Sequence, residues 1–362
     1  MKVLFDHQIF QAQKFGGISR YFSKISNLKY QGVDTEIIDH HNFQKVEIKK
    51  DILSKGIRFS KRKMGIDKPK DKYPSILTNR ILRNDFDIFH PTYYDSYFLK
   101  YLKRPFVLTV YDMIHEIYPE YMGINDKTSE LKKELCQKAD AIIAISETTK
   151  VDLIEILKID ESKITTTFLG SGFDKVAALG FGQNEDLHNY ILFTGNRSIY
   201  KNFYFMVNAI AEFLLNDKTL KLVCTGKLFT EKEVEYFKAR GIEDSIIHIY
   251  AKSDGELAWL YQNARCFIFP SLYEGFGIPI LEAFASQCPV ISSTGGSLKE
   301  IGGKGVKYFD PKNQKELKIA LSDVLFNKTT REALVKNGIE EFQKYSWDKC
   351  RDETLNVYKS VM

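Results

Sequence analysis

"SLYEGFGIPILEAFASQCPVISS", residues 271–293, sets two glutamates around a glycine turn: Glu274 before it and Glu282 beyond it. The run entering it, "CFIFPS" (266–271), is short, apolar and aromatic, which predicts a strand. "EGFG" reads as a tight turn, and Pro279 suits the first turn of a helix, where a missing N–H is no loss. A helix is predicted over "ILEAFASQ" (280–287), then a strand at "PVISS" (289–293). Glu274 therefore precedes the helix, and Glu282 lies about one turn inside it. Gly275 and Gly277 let a ligand approach bare backbone. The N–H groups and dipole of a helix start suit an anion or a ring of hydroxyls. A carboxylate before the turn can accept from sugar hydroxyls, and one a turn further in from a second pair, such as a ribose diol. The same residues also fit a capped helix with an exposed Glu282, and the segment by itself does not choose.

Outward from this stretch, the same alternation of short apolar runs and helical patterns recurs. "YILFTG" (190–195), "LKLVCTG" (220–226), "IIHIY" (246–250) and "GVKYFD" (305–310) read as strands. So do "KVLF" (2–5), "TEIID" (35–39), "FDIFH" (86–90), "FVLTVYD" (106–112) and "AIIAIS" (141–146), with a helix predicted over "ISRYFSKISNL" (18–28). Strands apolar on both faces and joined by helix-length segments predict parallel sheets. A break falls at "DKVAALGFGQNEDLHN" (174–189), with two glycines and a polar cluster. The expectation is an α/β protein of two Rossmann-like units, residues 1–180 and 181–344, with a cleft between them. The tail "YSWDKCRDETLNVYKSVM" (345–362) reads as an amphipathic helix pinned by Tyr345 and Trp347, able to return to the first unit.

At 362 residues, two domains are the natural expectation. The net charge of +5 permits a phosphorylated ligand or an anionic surface without requiring nucleic acid. Asp6 and His7 interrupt the beginning of the chain where a signal peptide would be apolar, and no run approaches the length of a membrane span. A cytoplasmic protein is expected, with a peripheral position at the inner face of the membrane as an option. Cys136, Cys224, Cys266, Cys288 and Cys350 are scattered without CxxC spacing, so buried thiols are expected rather than a zinc site.

"PSLYEGFGIPILEAFASQCPVISS" resembles the signature of retaining glycosyltransferase family 4, of the GT-B fold, in which two glutamates at this spacing follow a strand ending in "PS". The resemblance extends to "FTGNRSIYKN", "LVCTG", "GELAWLYQNARCFIFPS" and "GGSLKEIGGKGVKYFDP". In the first half it touches "GGISRY", "FDIFHPTYY", "LTVYDMIHE" and "ADAIIAISETTKVDL" more weakly. It implies that Glu274 holds donor-sugar hydroxyls and Glu282 the nucleotide ribose, with the amides around Phe276 and Gly277 facing the sugar and phosphates.

Other candidates take their meaning from this frame. Arg197 and Lys201 stand four apart beyond a strand, as either a basic turn or a diphosphate site. The resemblance implies the second. Gly16 and Gly17 form either a plain turn or a loop over phosphates, and the resemblance favours a loop closing over the donor. Relatives often carry histidine where this chain has Tyr111, so Tyr111, Asp112 or His115 is expected to take its place. His7 and His90 lie at strand ends as weaker acceptor-side candidates. Asp85 and Asp87 mimic a metal-binding DxD but read as a strand entry, so metal-independent chemistry is expected. Residues 45–72 carry eleven Lys or Arg against four acids, with Ile48, Ile52, Leu53, Ile57 and Phe59 among them: a solvated loop or an anionic-membrane patch.

The resemblance implies transfer of a sugar from a nucleotide-sugar substrate to a glycan or lipid-linked acceptor, in bacterial surface polysaccharide or lipopolysaccharide synthesis. A nucleotide-sugar epimerase of the same fold, or a non-catalytic nucleotide-sugar-binding subunit, are the alternatives.

Overall fold

The computed structural model describes residues 1–12, 16–26, 32–38, 75–173, 176–179 and 187–362. The basic stretch 45–72 lies outside the described residues, as does part of the break at 174–189.

Both halves are parallel sheets covered by helices. In the first half the strands are β1 (Lys2–Phe5), β2 (Asp34–Ile37), β3 (Ile88–His90), β4 (Val107–Val110), β5 (Ala141–Ala144) and β6 (Ile164–Thr166). They form the orders β2-β1-β3 and β4-β5-β6. A parallel bridge between Phe89 and Phe106, with Phe89 N donating to Pro105 O at 3.0 Å, joins the two. The strand β6 was not legible in the sequence. Its three residues "ITT" are two-thirds polar and it pairs only through the tertiary contact with β5.

In the second half the strands are β7 (Tyr190–Phe193), β8 (Lys221–Cys224), β9 (Ile246–His248), β10 (Cys266–Phe269), β11 (Val290–Ser293) and β12 (Val306–Phe309). Their order is β12-β11-β10-β7-β8-β9. Read from the other edge this is the doubly wound order, with its reversal between β7 and β10. Every residue of β3, β4, β5, β7, β10 and β11 is buried, which is why these strands are mainly apolar on both faces rather than alternating. All five cysteines are buried and free.

The tail forms a helix, Trp347–Ser360, capped by Ser346, whose hydroxyl accepts from Lys349 N. It lies against the helix Gly17–Ile25 and strand β5 of the first half. Gly170 makes room for its start: a Cβ there would stand 2.4 Å from Trp347 N. Among the described residues, no helix is long and apolar enough to cross a membrane.

The two halves touch. Glu300 accepts from Glu147 N at 2.7 Å and Thr148 N at 3.0 Å, capping the helix Glu147–Leu157 across the interface. Tyr273 OH donates to Asp152 on the same helix. Gly275 lies so close to Tyr111 that a Cβ would sit 1.7 Å from the Tyr111 carbonyl oxygen.

Candidate active site

The reversal between β7 and β10 leaves a crevice at the carboxyl ends of both strands. The chain delivers Lys201 there after β7 and Glu274 after β10. Lys201 Nζ donates to Glu274 Oε1 at 2.6 Å, and Ser271 Oγ donates to the same oxygen at 2.5 Å. Burial pulls the Lys201 ammonium down, but Glu274, Tyr200 and Asp112 together outweigh it and leave the pKa above its ordinary value. Lys201 therefore stays charged.

The turn that carries Glu274 is held by backbone fit. Ser297 N and Oγ both donate to Glu274 O, at 3.0 and 3.1 Å. Gly277 takes a φ of +105° as the cap of the helix Ile278–Ala285, and Pro279 sits in that helix's first turn. Glu282 then points inward from its second turn. It is 7% exposed, so the bland picture of a solvated Glu282 does not hold. Its Oε1 accepts from Arg20 Nη1 at 3.1 Å and its Oε2 from Tyr261 OH at 3.3 Å. Burial pushes the Glu282 carboxyl above the usual range, the Arg20 charge opposes this, and Asp254 adds to it.

The cleft has a volume of about 350 Å³. Gly16, Gly17, Arg20, Tyr111 and Asp112 line it from the first half, and Lys201, Glu274, Gly275, Phe276, Gly277 and Glu282 from the second. A larger hollow of about 980 Å³ lies on the second half between Asn189, Arg265 and Phe326. Asn189 and Arg265 stand at the amino ends of β7 and β10, whereas open α/β sheets bind ligands at the carboxyl ends. The smaller cleft is therefore the candidate site.

Several sequence-predicted residues sit elsewhere. Arg197 turns away: its Nε donates to Glu233 Oε1 at 2.5 Å and its Nη2 to Leu228 O at 2.8 Å. Its ring neighbour is Phe229, 4.8 Å away. Nη1 is buried without a hydrogen-bond partner. His90 is not at the cleft surface. It is fully buried, with Nδ1 2.7 Å from Tyr358 OH and Nε2 2.9 Å from Thr109 Oγ1. Burial drops its pKa from 6.5 to about 3, so it is a neutral core residue. His7 is buried beside Tyr97 and does not line the cleft. His115 Nε2 pairs with Asp126 at 3.3 Å, also off the cleft lining. Asp112 remains at the cleft, its Oδ1 accepting from Ile114 N at 3.1 Å. Tyr111 presents its backbone to Gly275 and buries its ring among Tyr21, Phe22 and Tyr94. Asp87 accepts from Lys2 N at 2.7 Å at the amino end of β3, and Asp85 pairs with Arg80, so the DxD look-alike is spent on the fold. Among the described residues, no cluster of three or more His, Cys, Asp or Glu side chains could hold a metal ion.

Sequence reading missed Arg20 and Tyr261 as partners of Glu282. The signal for Arg20 was faint: it lies one turn after Gly16–Gly17 in the same helix start. Tyr261 carried none, since an aromatic inside an amphipathic helix reads as core.

Two Rossmann-like halves whose carboxyl edges face a shared cleft define the GT-B architecture. The chain belongs to the GT-B glycosyltransferases: residues 15–170 match the family model "Glycosyltransferase Family 4", and residues 181–341 match "Glycosyl transferases group 1". It is 27% identical over 277 residues to the Escherichia coli O-antigen chain mannosyltransferase B, spanning 73% of this chain and 72% of that protein. It is 26% identical to the O-antigen chain mannosyltransferase RfbU of Salmonella typhimurium, spanning 62% of each. Among solved structures, Anabaena Alr3699/HepE in complex with UDP-glucose superposes with a TM-score of 0.75 over 99% of this chain and 100% of that one, at 15% identity.

Proposed function

We propose that this protein is a retaining glycosyltransferase moving a hexose, mannose in the first instance, from a nucleoside diphosphate sugar to a glycan or lipid-linked acceptor in surface polysaccharide assembly. The observation that carries the reading is the Lys201–Glu274 contact at the strand reversal, with Glu282 about one turn into the following helix. The choice of mannose rests on the two mannosyltransferase relatives.

In this reading Glu274 exchanges its bond with Lys201 for hydroxyls of the donor sugar. Lys201 is then free to meet the diphosphate. The bond from the sugar C1 to the phosphate oxygen breaks, and the bond from C1 to the acceptor oxygen forms on the same face. The acceptor's proton passes to the departing phosphate. The protein supplies position and charge rather than a covalent nucleophile. Glu282 takes the ribose diol. No step needs a metal.

The test is a donor panel of GDP-mannose, UDP-glucose and UDP-N-acetylglucosamine with a lipid-linked oligosaccharide acceptor. Nucleoside diphosphate release should depend on the acceptor, and the product should keep the donor's anomeric configuration by NMR. An inverted product, or an epimerised free sugar formed without acceptor, would overturn the reading.

A further inference from the structure

We propose that Arg20 is a positioning residue for the nucleotide half of the donor: it reaches across the cleft to fix Glu282 and so ties reading of the ribose to closure of the two halves. The inference rests on the ribose role of Glu282 given above.

Arg20 belongs to the helix Gly17–Ile25 of the first half, and Glu282 lies 262 residues further along, in the second. The guanidinium spans two acids. Nη1 meets Glu282 Oε1 at 3.1 Å, and Nη2 meets Asp254 Oδ1 at 3.0 Å. Both acids come from the second half, on the helices Ile278–Ala285 and Asp254–Asn263. A buried carboxylate beside a second acid is costly unless a cation stands near it. Arg20 supplies that cation. A planar fork can serve both acids at once, which a single ammonium cannot.

The contact leaves room for a ligand. An ionised carboxylate offers about four acceptor sites. Arg20 and Tyr261 take one on each oxygen of Glu282. A ribose diol approaching from the cleft finds the remaining sites, held in one orientation from two sides. Because the guanidinium arrives from the opposite half, that orientation exists only when the halves are together. Removing Arg20 should therefore harm recognition of the ribose in particular, not nucleotide binding in general.

The experiment uses the full chain and measures affinity by calorimetry for GDP, UDP and ADP. The tightest binder is then compared with its 2′,3′-dideoxy form. Wild type should prefer the ribose form by about tenfold or more. Arg20→Ala should weaken the ribose form by about tenfold and leave the dideoxy form unchanged, so that the preference collapses. Glu282→Gln should collapse it too, and the double variant should be no worse than Glu282→Gln alone. Arg20→Lys should restore only part of the preference. Equal weakening of both forms by Arg20→Ala, or an intact preference, would reduce Arg20 to a strut between the halves and overturn the proposal. Failure of the wild type to bind any of the three diphosphates would instead overturn the donor reading on which it stands.

Discussion

Lys201 Nζ lies 2.6 Å from Glu274 Oε1, although 73 residues separate the two in sequence. They follow neighbouring strands, β7 and β10, at the point where the strand order reverses. The pair sets the two side chains against each other in the cleft, so that neither is stranded.

Loss of either partner should therefore stop transfer while sparing the fold. Lys201→Ala is expected to lower kcat by about 10²–10³, the usual effect of removing one donor that meets developing charge. Lys201→Arg should not rescue fully, because a broad planar fork does not replace a compact ammonium in a tight turn. Glu274→Ala should abolish transfer. Steady-state release of nucleoside diphosphate measures all three, and a Glu274→Ala variant of normal activity would remove the central assignment.

Transfer should persist in EDTA. In the proposed mechanism Lys201 supplies the positive charge for the departing diphosphate, and the one DxD-like pair, Asp85 and Asp87, is engaged by Arg80 and Lys2 N. Loss of activity in EDTA with recovery in Mg²⁺ or Mn²⁺ would contradict this.

Gly275→Ala should wedge the cleft. A Cβ there would meet the Tyr111 carbonyl oxygen at 1.7 Å, and that atom is backbone, which cannot turn aside as a side chain would. Each half should keep its own fold, with a sharp loss of transfer. Small-angle scattering is expected to show a larger radius of gyration for the variant than for wild type, both saturated with nucleoside diphosphate. Equal radii would mean that the contact is not what limits closure.

Glu233→Gln should destabilise the second half. The Arg197 and Glu233 side chains are 5% and 6% exposed, so breaking the pair leaves a buried cation uncompensated, at a cost of about 3–5 kcal/mol. Arg197→Ala should cost a similar amount in addition to any loss of activity. Urea unfolding followed by the near-ultraviolet signal reads this. An unchanged midpoint in both variants would show that the pair does not stabilise the second half.

Acid should weaken the first half through His90. Its pKa is about 3 when buried against an ordinary 6.5, so between those values the unfolded chain binds the extra proton. The stability it contributes is present above pH 6.5 and is lost as pH falls toward 3. The slope is at most about 1.4 kcal/mol per pH unit. Urea midpoints taken from pH 7 down to about pH 4.5 should fall less steeply in His90→Gln than in wild type. Parallel slopes would refute the assignment.

The sequence by itself determined what local pattern can determine. Apolar runs of four residues between helical stretches marked most of the strands. The glycine turn, Pro279 and the spacing of Glu274 and Glu282 fixed a carboxylate on each side of a helix start, because turn and helix geometry are set within a few residues. Lys201 was legible for the same reason, as a cation just past a strand end.

Tertiary structure alone decided which of these side chains share the cleft. Arg197 and Lys201 stand four apart, yet one turns to Glu233 and the other to Glu274, a choice made by partners 36 and 73 residues away. His90, at a strand end that pointed to the cleft, is instead sealed by Tyr358 of the returning tail, 268 residues on. Arg20 reaches Glu282 only because the two halves pack against each other across the cleft. Such contacts are fixed by how whole layers pack and by the need to pair buried charge, and neither is written in any short stretch of the chain.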